Sequence, residues 1–133
     1  MKIKYNASQI DNIDYCEHVL FTYLVKLGFK VNNLGTKYLV KMILFAVSNH
    51  LYTNIEDISI DFVCTKFLKQ NPQINISQRG FKGRLEYAVS NVDSTKLKKN
   101  FSSIFDLEYD YSLVTLKNIA MLLLYLFDVD DIG

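Results

Sequence analysis

Three basic residues in the segment 77–92 (SQRGFKGRLEYAVSNV) have side chains that could bind a polyanion. Arg79, Lys82 and Arg84 carry cationic groups that bind phosphate oxygens through charge-assisted hydrogen bonds. A guanidinium can also bind the major-groove edge of guanine through two parallel hydrogen bonds. This concentration of cations predicts a surface that contacts nucleic acid.

Apolar residues in the same segment predict an amphipathic helix that positions these cations. They follow the spacing i, i+4, i+7, i+8 and i+11, which places them on one side: Phe81, Leu85, Ala88, Val89 and Val92. Ser77 is the predicted N-cap, because its hydroxyl can accept a bond from a free backbone N–H of the first turn. Ser77 and Gln78 are expected at the DNA-facing end of the helix. The outer face carries Arg79, Lys82, Gly83, Glu86 and Ser90, and Arg84 lies nearer the edge of the core.

A second group of cations follows this helix and consists of Lys96, Lys98 and Lys99. Residues 77–100 hold six Lys or Arg against two acidic residues, whereas residues 101–133 hold one lysine against six acids. The net charge of the whole chain is only +1. Because DNA affinity grows with the number of phosphates neutralised, the basic region is expected to face DNA and the acidic end to face away.

The composition excludes several functional classes. The 133 residues, half of them apolar, suffice for one domain with a core. There is no glycine-rich phosphate loop, nucleophile elbow or motif with paired carboxylates, so we expect no enzyme activity, catalytic residue or cofactor. Neither Cys16-Glu17-His18 nor the isolated His50 has a second cluster with ligand spacing, so no metal site is predicted.

The cellular location is also constrained by the sequence. No apolar run reaches the roughly 18 residues that a membrane span needs. The N-terminus lacks the apolar stretch of a secretory signal. Cys16 and Cys64 lie within apolar patterns and are predicted to be buried free thiols, which favours a cytoplasmic protein.

Helical patterns dominate the chain and predict an all-α fold of about six helices, with residues 1–133 forming one compact domain. The expected helices are Ile10–Leu27, Thr36–Leu51, Asn54–Leu68, Ser77–Val92, Ser94–Phe105 and Ser112–Phe127. Gly28 is the expected C-cap of the first helix and Asn54 the N-cap of the third, and either Asp93 or Ser94 can cap the fifth. The third and fourth helices predict a helix-turn-helix over residues 58–92, in which the second helix enters the major groove of DNA.

The last predicted helix, within residues 112–128, contains the run IAMLLLYLF, which is apolar on every side. Such a helix must be covered all round, and a terminal helix of a small domain is hard to surround from within. We therefore expect one face of it to form a homodimer contact, with full burial within the monomer as the alternative. The residues predicted for this contact are Leu116, Ile119, Leu123, Leu124 and Phe127.

Several short motifs, taken in order, resemble one known family. They are Leu27-Gly28-Phe29, Gly35, Tyr38-Leu39 with Ile43, the run 63–67, the helix 77–92, the run 101–105 and Ile119-Ala120-Met121. In spacing they resemble the DNA-binding effector domain at the C-terminus of the master response regulator of sporulation in endospore-forming bacteria. The resemblance covers about residues 18–127. It implies about six helices, duplex DNA binding through the helix 77–92, and dimer contacts through the last helix.

The chain also departs from this family. The turn from Leu68 to Ile76 is several residues longer, and we expect this protein to lack the receiver domain that carries the phosphorylated aspartate in the family. Where the family's base-reading residues are expected, this chain has Gly80, Lys82, Gly83 and Glu86. Glycine cannot bind a base edge, so the family's target sequence is not expected to carry over.

Two functions follow as hypotheses. The first is a stand-alone, dimeric helix-turn-helix protein that binds double-stranded DNA as a transcriptional or mobile-element regulator. The second is a protein-interaction module that no longer reads DNA and pairs with a related regulator through its last helix. An ion pair between Lys82 and Glu86 would neutralise the DNA-facing surface and favour the second.

Overall fold

The computed structural model describes residues 3–6, 12–51 and 59–129. In this part of the chain six α-helices occur: α1 (Asn12–Lys26), α2 (Leu34–Ser48), α3 (Ile60–Gln70), α4 (Gln78–Ser90), α5 (Ser94–Phe105) and α6 (Leu116–Tyr125). Two short strands, β1 (Ile3–Tyr5) and β2 (Phe127–Val129), complete the described elements. Their buried residues form one core cluster. The predicted compact all-α domain is confirmed.

The helix α2 is the centre of the core. It packs against α1, α3, α4 and α6, and nine of its residues are buried. Its apolar residues surround most of the helix, so they are buried by several neighbours at once. Asn33 caps its N-terminus, where the side-chain oxygen accepts a hydrogen bond from the backbone N–H of Gly35 at 2.8 Å. The expected central helix is confirmed, although it begins two residues before Thr36.

The helix α1 ends where the sequence predicts, at Gly28. The φ of Gly28 is +98°, which glycine adopts without strain. The backbone N–H of Gly28 donates to Val25 at 3.0 Å, and that of Phe29 donates to Leu24 at 3.0 Å. These two bonds form a Schellman motif and satisfy carbonyls that the helix end leaves free. The predicted start at Ile10 lies outside the described residues.

The third helix differs from the sequence-based expectation. Ser59 caps α3, with an extended backbone (φ −94°, ψ 111°) and a side-chain oxygen that accepts from the N–H of Phe62 at 3.2 Å. A helix cannot run through an extended residue, so the prediction of one continuous helix from Asn54 to Leu68 is wrong. Asn54 itself lies outside the described residues.

The expected single helix 112–127 is also corrected, because the structure divides it into three elements. Tyr111–Leu113 form a 3-10 turn capped by Asp110, and Thr115 caps α6. The chain leaves α6 at Leu126 and enters β2. There Phe127 pairs with Ile3 in a parallel register, so β2 lies beside β1 although the two strands are far apart in the sequence. No strand was predicted, because three residues carry too little pattern to reveal one.

The apolar helix α6 is covered from within the single chain. The five residues predicted to form a dimer contact are at most 8% exposed: Leu116, Ile119, Leu123, Leu124 and Phe127. The helices α2 and α4 and the strand β2 pack against α6. The expectation that one face of this helix is left for a partner is therefore corrected, and these five side chains belong to the core.

Candidate nucleic-acid interface

The helix α4 is held in place by its N-cap and by one buried aromatic side chain. The Ser77 hydroxyl accepts a hydrogen bond from the N–H of Gly80 at 3.0 Å, which confirms the predicted cap. Phe81 is fully buried, with its ring centroid 4.9 Å from that of Tyr38 on α2 and 5.5 Å from that of Phe67 on α3. These contacts fix the rotation of α4 about its axis, and therefore which side chains face outward.

The predicted inner face of α4 is confirmed. Phe81, Leu85, Ala88 and Val89 are buried, and Val92 beyond the helix end is partly buried against the core.

The helices α2 and α4 approach each other closely at Gly35. A Cβ atom on Gly35 would touch the carbonyl oxygen of Arg84 and lie 2.8 Å from its carbonyl carbon and 3.0 Å from the Cβ of Ala88. Real Cβ atoms do not come this close to backbone atoms. Glycine at position 35 is therefore what lets the N-terminus of α2 lie directly against the middle of α4.

The outer face of α4 has two flanks with different neighbours. Residues advance by about 100° per position around an α-helix, so Lys82 and Arg84 lie about 200° apart as measured across the outer face. Lys82 lies on the flank that contacts α3, where its ammonium is 3.1 Å from the Asp61 carboxylate. Arg84 lies on the opposite flank, against the loop between α1 and α2. The cations predicted to act together are thus divided between two sides.

The pairing of Lys82 has an electrostatic signature. Its hydrogen bond and charge interaction with Asp61 raise the pKa of the Lys82 ammonium, and the more distant Glu86 raises it further. Lys82 therefore stays protonated, but its charge is already balanced by a carboxylate. An ion pair between Lys82 and Glu86 would favour the protein-interaction hypothesis, but these two side chains are not within ion-pair distance. Lys82 pairs with Asp61 instead.

Gln78 also interacts with α3. Its amide oxygen lies 2.9 Å from the Thr65 hydroxyl, and its amide nitrogen donates to the backbone oxygen of Asp61 at 3.2 Å. Ser77, through its cap, and Gln78, through these bonds, therefore both hold the start of α4 in place. Their contacts within the fold compete with the DNA contacts predicted for them.

Arg79 and Arg84 are exposed and form no ion pair with any described residue. Arg79 lies near the middle of the outer face, and Arg84 lines a groove of about 780 Å³ beside the helix. We call this cavity the α4 groove. Its lining residues come from α4, from the turn before it and from the α1–α2 loop: Lys30, Asn32, Asn33, Leu34, Ile76, Gly80, Gly83, Arg84, Tyr87 and Asn91.

The α1–α2 loop is anchored to the chain that follows α4. The carbonyl of Gly28 accepts a hydrogen bond from the N–H of Asp93 at 2.9 Å, and a Cβ on Gly28 would collide with the Asp93 carbonyl. The side chain of Asn100 on α5 donates to the carbonyl of Lys26 at 2.7 Å. These bonds bring Lys30 to the edge of the α4 groove, although it is far from Arg84 in sequence.

Asp93 marks where the basic residues of α5 meet this loop. Its carboxylate caps α5 by accepting from the N–H groups of Thr95 and Lys96 at 3.0 and 3.2 Å. The bond from Lys96 is the largest cause that lowers the pKa of Asp93, and the charges of Lys30 and Lys96 lower it further. Lys30 and Lys96 therefore both act on the same carboxylate, which remains ionised.

The three predicted lysines of α5 are exposed, and none has an ion pair with a described residue. The buried residues Leu97 and Phe101 define the inner side of α5. By helical spacing Lys99 points away from that side, Lys96 shares the flank of Asn100, and Lys98 takes the opposite flank. Lys96 thus continues the basic region around Lys30 and Arg84.

Sequence reasoning did not assign most of the residues that line the α4 groove, among them Lys30, Tyr87 and Asn91. Lys30 had no local signal, because tertiary contacts bring it to the groove, namely the bonds from Asp93 to Gly28 and from Asn100 to Lys26. Tyr87 and Asn91, by contrast, did have a local signal in the sequence. Gly80, Arg84, Tyr87 and Asn91 repeat the spacing i, i+4, i+7 and i+11, which marks a second continuous stripe along the helix.

The cysteines are buried, as predicted, and neither is in a disulfide. Burial raises the pKa of both thiols, and that of Cys64 rises to about 12 because desolvation is reinforced by the nearby Asp61 carboxylate, with Lys82 acting in the opposite direction. Such thiols remain protonated at neutral pH and are poor nucleophiles and poor metal ligands. Across residues 3–6, 12–51 and 59–129, no group of three His, Cys, Asp or Glu is placed to hold a metal ion.

Comparisons of the chain with protein-family models, curated proteins and solved structures found no match. The resemblance to the sporulation regulator therefore remains a prediction from its motifs. Within the described part of the chain, no helix is both long and apolar enough to cross a membrane.

Proposed function

We propose that this protein binds double-stranded DNA as a helix-turn-helix regulator of transcription or of a mobile element. The main support is a set of exposed cations on α4, the α1–α2 loop and α5. These cations have no ion-pair partner among the described residues. They are Arg79, Arg84, Lys30, Lys96, Lys98 and Lys99. Cations left free in this way are available to replace counterions on DNA phosphates.

The arrangement of α3 and α4 supports the proposal. These helices pack together, and α4 exposes a long outer face that could enter the major groove. Their connection, residues 71–77, is longer than the roughly three to four residues typical of the motif. It is nevertheless ordered by local bonds, since Asn71 donates from its side chain to the Phe67 carbonyl at 2.8 Å and accepts at its own carbonyl from Ile74 at 2.9 Å.

The two flanks of α4 are expected to contribute unequally to DNA affinity. Lys82 is balanced by Asp61, whereas Arg84 has no carboxylate partner among the described residues. DNA binding should therefore depend on Arg84, Lys96 and Lys99 more than on Lys82. Without a base-reading arginine at positions 80 and 83, the affinity should come chiefly from phosphates and vary little with sequence.

Fluorescence anisotropy with a labelled random-sequence duplex tests this proposal over a range of salt concentrations. Replacing Arg84 or Lys99 by alanine should weaken binding and make the slope of log K against log salt shallower by about 0.9 for each lost phosphate contact. Asp61→Asn, which removes a repulsive charge and frees Lys82, should strengthen binding. No binding by the unaltered chain at about 50 mM salt would exclude the proposal, since phosphate contacts are strong at that concentration.

A second candidate is a protein-interaction module that does not read DNA. It is favoured by the Lys82–Asp61 pair, by the exposed Glu86 and by the two glycines on α4. The contact that the sequence predicts for it, through α6, uses side chains that the single chain already buries. If this candidate is correct, Arg84→Ala and Lys99→Ala should leave function unchanged in the cell, and the duplex titration should show no binding.

A further inference from the structure

We propose that the α4 groove is a binding site for a nucleotide, with its phosphate at Lys30 and Arg84 and its base against Tyr87. This site goes beyond duplex binding by the outer face of α4, because its ligand is one nucleotide unit held between two elements. A free nucleotide and a DNA strand that follows the groove present the same phosphate and base, and the titrations below distinguish these two sources.

The charges of the groove select a phosphate. Lys30 and Arg84 lie in its lining, and the lining contains no Asp or Glu. Neither cation has an ion-pair partner among the residues that the structure describes. Asp93, close to Lys30, already accepts two backbone hydrogen bonds as the cap of α5. The groove is therefore locally positive, although the whole chain has a net charge of only +1.

The remaining lining suits a base and its sugar. Tyr87 is 61% exposed and has no ring partner among the described aromatic contacts, so one face of its ring is open for stacking. Asn32 and Asn91 each offer a carboxamide donor and acceptor, and neither side chain forms a hydrogen bond within the described residues. Carboxamides match the alternating donors and acceptors at the edge of a base.

The two glycines of α4 remove side chains from the wall of this groove. A Cβ on Gly83 would have no atom within 4 Å, so nothing in the fold requires glycine there. Gly83 lies one residue before Arg84 and one helical turn before Tyr87, and it leaves bare backbone between them and the solvent. A close approach of a ligand to the helix backbone accounts for a glycine that the packing does not explain.

The volume of the groove fits this class of ligand. At about 780 Å³ it falls within the range of roughly 300–1,000 Å³ that small-molecule sites occupy. Inorganic phosphate would use only Lys30 and Arg84 and would leave Tyr87 and the carboxamides unpaired. The ligand that uses the whole lining combines a phosphate with a flat, hydrogen-bonding ring.

Nuclear magnetic resonance titration of the full ¹⁵N-labelled chain tests this site, with adenosine 5′-monophosphate as the probe. We expect saturable shifts of the amides of Gly80, Gly83, Tyr87 and Asn91. Inorganic phosphate and adenosine, titrated separately, should each bind at least about tenfold more weakly, since each uses half of the site. Equal affinity for phosphate and for the nucleotide would overturn the proposal.

Variants separate the site from a general charge effect. Tyr87→Ala and Lys30→Gln should each weaken nucleotide binding about tenfold, the effect of one lost stacking or charge contact. Lys117→Gln on α6 removes the same charge outside the groove and should change nothing. Tyr87 and Lys30 are exposed, so both variants should retain the spectrum of the folded chain. Retained affinity in both variants would also overturn the proposal.

A short DNA duplex, titrated into the same sample, identifies the source of the nucleotide. If only the duplex shifts the groove amides, the site holds a nucleotide of a DNA strand. If the free nucleotide binds and the duplex does not, the site stands while the proposed DNA-binding function fails. If the duplex shifts only α5 and the outer face of α4, and the nucleotide shifts nothing, the groove proposal fails and duplex binding stands.

Discussion

Two glycine-to-alanine substitutions should have opposite effects on stability, although the chemical change is the same. Gly35 and Gly83 both lie inside α-helices, and alanine is intrinsically favoured there by about 0.8–1.0 kcal/mol. The surroundings differ, since a Cβ at position 83 would meet open space and a Cβ at position 35 would meet the backbone of Arg84. Comparing the two substitutions therefore separates the effect of packing on stability from the effect of helix propensity.

For Gly83→Ala only the propensity term remains. We expect the free energy of unfolding to rise by about 1 kcal/mol, which for a chain of this size corresponds to a melting temperature about 4 °C higher. For Gly35→Ala the new methyl group would lie 2.8 Å from the Arg84 carbonyl carbon, so α2 and α4 must separate. Overpacking of this kind costs about 1–3 kcal/mol or more, which exceeds the propensity gain near a helix end.

Urea denaturation followed by circular dichroism, with both variants and the unaltered chain measured together, gives the comparison. The expected order of the midpoint urea concentration is Gly83→Ala, then the unaltered chain, then Gly35→Ala, with similar slopes m. A Gly35→Ala variant as stable as the unaltered chain would refute the close approach of α2 to α4. A destabilised Gly83→Ala variant would refute the open position of that residue on α4.

Three other measurements follow from buried residues. Thr36→Val should leave the stability unchanged or raise it by about 1 kcal/mol in urea denaturation, because the buried Thr36 hydroxyl has no partner among the described residues. Leu123→Ala should lower the free energy of unfolding by about 2–5 kcal/mol at every protein concentration, as expected of a core residue; a melting temperature equal to that of the unaltered chain would refute the burial of Leu123 in the core. The pKa of Cys64 is raised from 9.0 to about 12, so the folded state holds its proton more tightly and its contribution to stability is present below pH 9 and is lost as the pH rises towards 12. Unfolding measured against pH should therefore show an additional fall of up to about 1.4 kcal/mol per pH unit that Cys64→Ala lacks.

Features that depend on neighbours along the chain could be predicted from the sequence. The inner face of α4, its Ser77 cap and the Gly28 end of α1 are each determined within one or two helical turns. Spacing and side-chain chemistry are sufficient there, because the hydrogen bonds involved join residues only a few positions apart. The class of fold followed from the same periodicity.

Boundaries in the less regular segments could not be predicted. The apolar pattern before Leu68 extends past the Ser59 cap, and the pattern around α6 hides the turn at Tyr111–Leu113 and the strand β2. In each case a polar side chain or a distant strand ends the helix. A helical pattern marks the residues that a helix would bury, but not where competing bonds stop it.

The sequence by itself determined that the protein is helical, that α4 has one buried side, and that basic residues follow it on α5. Only the tertiary structure decided what those residues can do. It paired Lys82 with Asp61 and brought Lys30 beside the flank of Arg84. It also buried the apolar residues of α6, for which the sequence had shown no covering surface. The physical reason is distance along the chain: charges and apolar surfaces act through space, and their partners here come from separate helices that only packing brings together.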